Sequence, residues 1–139
     1  MIKANLISEK AFCSIDIMPT ILDIAEAPLP NNKIDGRNVL DLMTNKENEK
    51  NPHQYYYFST GKNLEAIMTG DGRWKLHIPH AYRHIDTPGK NGDDAKYSRK
   101  EQKLALYDMH NDPMETKDLS SQFPELTDEL KKLILNYHN

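Results

Sequence analysis

Residues Gln54–Ile78 read QYYYFSTGKNLEAIMTGDGRWKLHI, and this stretch decides the architecture. Tyr55, Tyr56, Tyr57 and Phe58 are residues that favour a pleated backbone. Asn63 to Thr69 mixes apolar with polar side chains, and Trp74, Leu76 and Ile78 alternate with Arg73, Lys75 and His77. A period of two over short runs marks half-buried strands. Gly61 separates the first run from the second and Gly70-Asp71-Gly72 the second from the third, which are the residues that tight antiparallel connections require. Three strands in a meander are predicted, over Gln54–Ser59, Asn63–Thr69 and Arg73–Ile78.

Downstream, Leu104–Met109 (LALYDM) reads as a fourth strand, and Asn111-Asp112-Pro113 turns the chain away from it. Pro124 stands at a helix start beside Glu125, and Leu126, Leu130, Leu133, Ile134 and Tyr137 recur at helical spacing to the C-terminus. Burying that stripe on a sheet face contributes about 1.5 to 3 kcal/mol for each large side chain. Between the third and fourth strands, Pro79 to Lys103 is polar and punctuated by Pro88-Gly89 and Asn91-Gly92, so it is read as a long substrate-side or partner-side loop.

Upstream, Ser14–Ala27 (SIDIMPTILDIAEA) places Ile17, Met18, Ile21, Leu22 and Ala25 on one helical stripe, with Asp16 as N-cap and Pro19 in the first turn. The helix should stop before Pro28. Asp35-Gly36 marks a turn, Val39, Leu40, Leu42 and Met43 suggest a short second helix, and Thr44 to His53 is a polar surface loop. The expected fold is therefore α+β: a four-stranded antiparallel sheet with a C-terminal helix packed on one face, plus N-terminal helical segments. Residues 1–53 form the helical segment and connector, and 54–139 the sheet domain.

Composition narrows the function. The chain has 139 residues, a formal charge of -3 and 28% charged residues, with a mean hydropathy of -0.78. Lys and Arg are interspersed with Asp and Glu, which gives no basic stripe for a phosphate backbone, so no nucleic-acid partner is expected. No apolar run reaches membrane-spanning length and no secretory leader is visible in Met1 to Cys13, so no membrane partner is expected either. The one cysteine, Cys13, has no second cysteine with which to form an internal disulfide or metal site.

Taken in order, several segments carry a family resemblance. IDIMPTILDIA followed by Ile34-Asp35-Gly36-Arg37, then NPHQYYYFSTGKNLEAIMTGDGRWKLHIPHAYR, then LYDMHNDPMETKDL, is similar to the C-terminal third of arylsulfatases and N-acetylgalactosamine-type sulfatases. Each segment alone is common; their order and spacing are specific. The resemblance implies a sulfuric ester hydrolase of the alkaline-phosphatase-like superfamily, acting through formylglycine in a Cys-x-Pro-x-Arg or Cys-x-Ala-x-Arg motif beside calcium. Cys13 is followed by Ser14, Ile15, Asp16 and Ile17 and does not fit that motif. No catalytic residue, cofactor or metal is therefore assigned to this chain, and both calcium and formylglycine are expected only in a large domain outside it. The resemblance further implies that the N-terminal helix faces that large domain, its principal partner, with self-association through the helix as another occupant of the stripe. Complete members of the family are often periplasmic, secreted or lysosomal, and this chain assigns no compartment.

Arg73, Lys75 and His77 share one face of the predicted third strand and make a small cationic ridge for a sulfated sugar or aryl sulfate. By resemblance, Lys75-x-His77 stands where some arylsulfatases direct a histidine at the substrate sulfate. His80, Tyr82 and Arg83 join these as substrate-binding candidates. The ordinary alternative is a solvated sheet face. His77, His80 and His84 also invite a metal reading, but Pro79 interrupts them and no carboxylate or cysteine completes zinc spacing. Tyr55–Phe58 and Trp74 either stack on sugar rings or pack in the core. Two functions remain: the C-terminal part of a sulfatase shaping its substrate-side rim, or a stand-alone glycan-binding or protein-interaction module.

Overall fold

A computed structural model describes residues 2–8, 10–46 and 49–137. The helical stripe expected to run to Asn139 ends, beyond residue 137, outside them. Two compact units divide the chain: one comprises Met1–Tyr56 with Met68–Trp74, the other Tyr57–Ile67 with Lys75–Asn139.

In the first unit, a 3-10 turn at Ser14–Asp16 leads into α1 (Ile17–Ile24), and α2 (Leu40–Met43) follows a connector. Asp16 occupies the N-cap position of α1, but its carboxylate does not cap that helix. Oδ2 accepts the Cys13 N–H at 3.0 Å, while Oδ1 accepts the Arg37 N–H at 2.9 Å and lies 2.6 Å from His53 Nε2. Thr20 Oγ1 donates to the Asp16 carbonyl and accepts the Val39 N–H, so the centre of this unit is a polar knot flanked by buried Val39, Leu42 and Tyr56. Buried polar groups need such saturation to be tolerated. Most of the predicted stripe on α1 is solvent-facing: Ile17, Met18, Ile21 and Ala25 are exposed and Leu22 is half-buried, Ile24 outside the stripe is also exposed, and Pro19 and Thr20 are the buried positions.

The end of α1 has a sequence reason. Glu26 adopts φ 51°, and the Glu26 and Ala27 N–H groups donate to the Asp23 and Leu22 carbonyls at 3.1 and 2.9 Å. This is a left-handed helix stop in which glycine is the unstrained residue. Glu26→Gly should therefore raise stability by about 0.5 to 1 kcal/mol, read as a higher denaturant midpoint with unchanged slope; a lower midpoint would show that the glutamate side chain matters more than its backbone.

Strands β1 (Tyr55–Thr60), β2 (Asn63–Thr69) and β3 (Trp74–His77) are joined by the expected turns, and β4 (His80–Thr87), β5 (Lys96–Gln102), β6 (Ala105–Asp108) and α3 (Pro124–Asn136) follow. The main sheet has the order β1-β2-β3-β6 and is mainly antiparallel. Within the second unit, Ala66, Ile67, Leu76, Ala105, Leu106, Tyr107, Leu130 and Ile134 form the core, and Tyr57 packs against Tyr137 with ring centroids 4.1 Å apart. The α+β architecture and its four-stranded sheet are as the sequence predicts.

The stretch 79–103 differs from its reading as a loop. It folds as a two-stranded antiparallel arm, β4 against β5, with His80 opposite Gln102, Tyr82 opposite Lys100, Arg83 opposite Arg99 and Ile85 opposite Tyr97. The arm is largely exposed on both faces, so it lacks the apolar alternation by which a half-buried strand is recognised. No helix among the described residues is long and apolar enough to cross a membrane.

Candidate functional site

Strand alternation puts Lys75 and His77 on one face of β3 and sends Leu76 into the core on the other, where it is fully buried. Facing them is Glu115, on the turn after β6. That turn is held by Asp112, whose Oδ2 accepts the Thr116 and Lys117 N–H groups at 2.8 Å each. These backbone donors hold the Asp112 carboxyl below its usual range. Glu115 itself sits at φ 54°. Its Oε1 lies 2.6 Å from Lys75 Nζ and its Oε2 lies 3.1 Å from His77 Nε2. Lys75 Nζ also stands 5.1 Å from the centre of the Phe58 ring.

The second contact is electrostatic. The His77–Glu115 separation is within ion-pair range, yet among the described residues neither ring nitrogen of His77 has a hydrogen-bond partner, and both are shielded from solvent. Glu115 acts on His77 as a charge. Burial pushes the His77 imidazole below its ordinary value, with Glu115 opposing the shift and Lys75 and His80 adding to it. The Tyr107 ring meets His77 edge-on at 5.9 Å.

His77 stacks on His80 at 5.5 Å and 19°, His80 meets Tyr82 at 6.3 Å, and Tyr82 meets His84 at 6.1 Å. His80 Nδ1 lies 2.7 Å from the Ile78 carbonyl, and this fixes the ring with Nε2 turned towards Glu65 Oε2 at 3.9 Å. The result is a ladder of four rings running from the sheet onto one face of the arm. Of the predicted substrate-binding residues, Lys75, His77, His80 and Tyr82 are thus brought together. Arg83 is on the opposite face of the arm, as its odd position in β4 requires, and its guanidinium carbon sits 3.4 Å from the Tyr97 ring centre. Arg73 precedes β3 and belongs to the first unit, where it lies over Trp74 at 4.9 Å. Sequence reasoning missed Glu115 and Glu65. Both are ordinary carboxylates in sequence, and Glu115 meets Lys75 across 40 positions.

A depressed histidine carries a pH signature. An unfolded imidazole titrates near 6.5, whereas folded His77 holds its proton less readily. Between the folded and unfolded values the unfolded chain binds more protons, so the contribution of His77 to stability falls as pH drops through about 6.5. His77→Gln should flatten that decline in thermal midpoint; an identical pH profile in the variant would remove His77 as its source.

Cys13 is partly buried beside the 3-10 turn, its N–H committed to Asp16. Among the described residues no group of three His, Cys, Asp or Glu side chains is arranged to hold a metal ion. What the cluster does offer is an oriented, partly dry surface of imidazoles and a phenol with a lysine neutralised by Glu115, suited to binding and positioning.

Comparison with known proteins assigns the lineage. The chain is 32% identical over 98% of its length to arylsulfatase K of Canis lupus familiaris, and 28% identical over 88% to human arylsulfatase A. It spans about a quarter of the length of these curated relatives. A Bacteroides thetaiotaomicron protein solved in work on the metabolism of multiple glycosaminoglycans shares the fold, with TM-score 0.55 and 23% identity, over 88% of this chain and 24% of that one. The family model for the C-terminal part of N-sulphoglucosamine sulphohydrolase matches residues 1–139. The chain belongs to this family and is a sulfatase C-terminal domain.

Proposed function

We propose that this chain serves as the substrate-side rim of a sulfuric ester hydrolase whose nucleophile and calcium ion are supplied by a separate large domain. The observation that carries the reading is the ring ladder His77–His80–Tyr82–His84 with Lys75 held by Glu115 at its base. Such a surface can accept hydrogen bonds from, and donate them to, sugar hydroxyls and sulfate oxygens without itself attacking sulfur. The substrate class is a sulfated sugar or aryl sulfate. Lys75, His80 and Tyr82 are its contacts here, with His77 stacked on His80 as their support; Arg83 lies on the opposite face of the arm, and Arg73 lies over Trp74 in the first unit.

The large domain is also the proposed occupant of the exposed isoleucine face of α1, since contiguous apolar surface of that kind marks an interaction site. A second copy of the chain is the competing occupant, which a sedimentation experiment distinguishes. The purified chain, given a chromogenic aryl sulfate and calcium, should show no turnover above background. Turnover that copurifies with the chain and disappears in Cys13→Ala would overturn the division of labour.

A further inference from the structure

The β4–β5 arm carries a feature that the rim does not use. Arg83 and Arg99 are direct cross-strand partners, an arrangement in which side chains on one face approach closely and like charges repel. Both are exposed. Among the described residues, neither guanidinium has a carboxylate within ion-pair distance. Arg83 is nevertheless held, its guanidinium carbon 3.4 Å from the Tyr97 ring centre, which leaves the planar fork oriented without consuming its donors. Tyr97 and its cross-strand partner Ile85 continue the same face and are 43% and 52% exposed. Ala81 and Glu101 complete the face at the other end.

We propose that this face is an anion-recognition site for a sulfated glycan, with Arg83 and Arg99 gripping one sulfate or carboxylate group between them and Tyr97 and Ile85 lying against an adjoining sugar ring. An anion placed between two opposed guanidiniums relieves their repulsion and accepts their parallel N–H donors. The local chemistry favours a polymer with spaced anions over a nucleic acid. Asp86, Asp93, Asp94 and Glu101 are interspersed with Lys90, Lys96 and Lys100 along the arm, which leaves no continuous cationic stripe for a run of phosphates, whereas one charged group beside a ring is matched by the arginine pair. Identifying the polymer as a sulfated glycan rests on the rim reading above. The site itself lies on the opposite arm face from His80, Tyr82 and His84, so it would hold the chain of a long substrate away from the reacting sulfate.

The test is calorimetric titration of the full 139-residue chain with a heparin-derived oligosaccharide, its chemically desulfated counterpart, inorganic sulfate and a single-stranded DNA oligomer. Variants are Arg99→Gln, Arg83→Gln, Arg99→Lys, His77→Gln and the control Lys132→Gln, each checked for an unchanged circular dichroism spectrum. We expect saturable binding of the sulfated oligosaccharide, weakened at least tenfold by Arg99→Gln and by Arg83→Gln. Arg99→Lys should recover part of the affinity, and Lys132→Gln, which removes an exposed charge on α3 away from the arm strands, should leave it within twofold. Equal affinity in Arg99→Gln and the parent overturns the site. Binding no tighter than that of inorganic sulfate, equal binding of the desulfated oligosaccharide, or tighter binding of the DNA overturns the ligand class. Loss on His77→Gln with retention in both arginine variants would sink the arm site while leaving the rim reading intact; the reverse pattern, with sulfatase turnover by the chain alone, would sink the rim reading and leave the arm site standing.

Discussion

Asp16→Ala should lower stability by about 3 to 5 kcal/mol, the order of cost when several hydrogen bonds to one buried carboxylate are lost together. The Asp16 side chain is fully buried, and its two oxygens serve the Cys13 N–H, the Arg37 N–H and His53 Nε2. Removing it strands three groups from three separate segments at once, the His53 contact buried and the Cys13 and Arg37 N–H bonds part-buried. His53 is itself 9% exposed, and its ring packs against Tyr56 at 4.7 Å, so it cannot turn outward without opening the unit. Denaturant unfolding of Asp16→Ala, His53→Ala and the double variant measures the effect and its coupling. The double variant should lose much less than the sum of the singles. A loss below about 1 kcal/mol for Asp16→Ala, the value of one ordinary hydrogen bond, would show that the knot is not what joins these segments.

Gly36→Ala should cost about 3 kcal/mol through backbone displacement. A Cβ at residue 36 would fall 1.9 Å from the Ile15 carbonyl oxygen and 2.6 Å from its carbon, and backbone cannot swing aside as a long side chain can. This close approach is what lets the next residue, Arg37, deliver its N–H to Asp16. Gly61→Ala provides the comparison, because nothing stands within 4 Å of its Cβ position and only a φ of +63° is strained. That variant should lose about 1 to 2 kcal/mol. If both alanines cost the same by thermal unfolding, steric contact at Gly36 is not the cause. Combined with Asp16→Ala, Gly36→Ala should cost less than alone, since both act on the Arg37 hydrogen bond.

The main sheet was legible because its information is local. The second strand has the predicted bounds Asn63–Thr69, set by glycines on either side, and the closing helix starts at Pro124 as a proline in the first turn dictates. The arm was not legible, since KYSRKEQ in β5 is polar in both alternating sets and offers no hydrophobic face to detect. Asp16 reads correctly as the residue before a helix, but its partners lie 21 and 37 positions away, beyond any spacing rule. The same limit hid half of the rim. Alternation along β3 gathers Lys75 with His77, and only the folded chain shows that Glu115 neutralises the lysine and that Arg73 lies over Trp74.

Among the described residues the arm pairs only β4 with β5, and its two outer strand edges carry no further β-partner. Exposed edges of that kind template fibrillar stacking unless charge prevents a second ribbon from docking. Arg83, Lys96, Arg99, Lys100 and Glu101 are all solvent-facing along this ribbon, so they act as gatekeepers of colloidal behaviour. Replacing them with apolar residues, for crystallisation or to reshape ligand preference, would trade solubility for intermolecular β-assembly, and polar replacements are the safer choice for engineering this element.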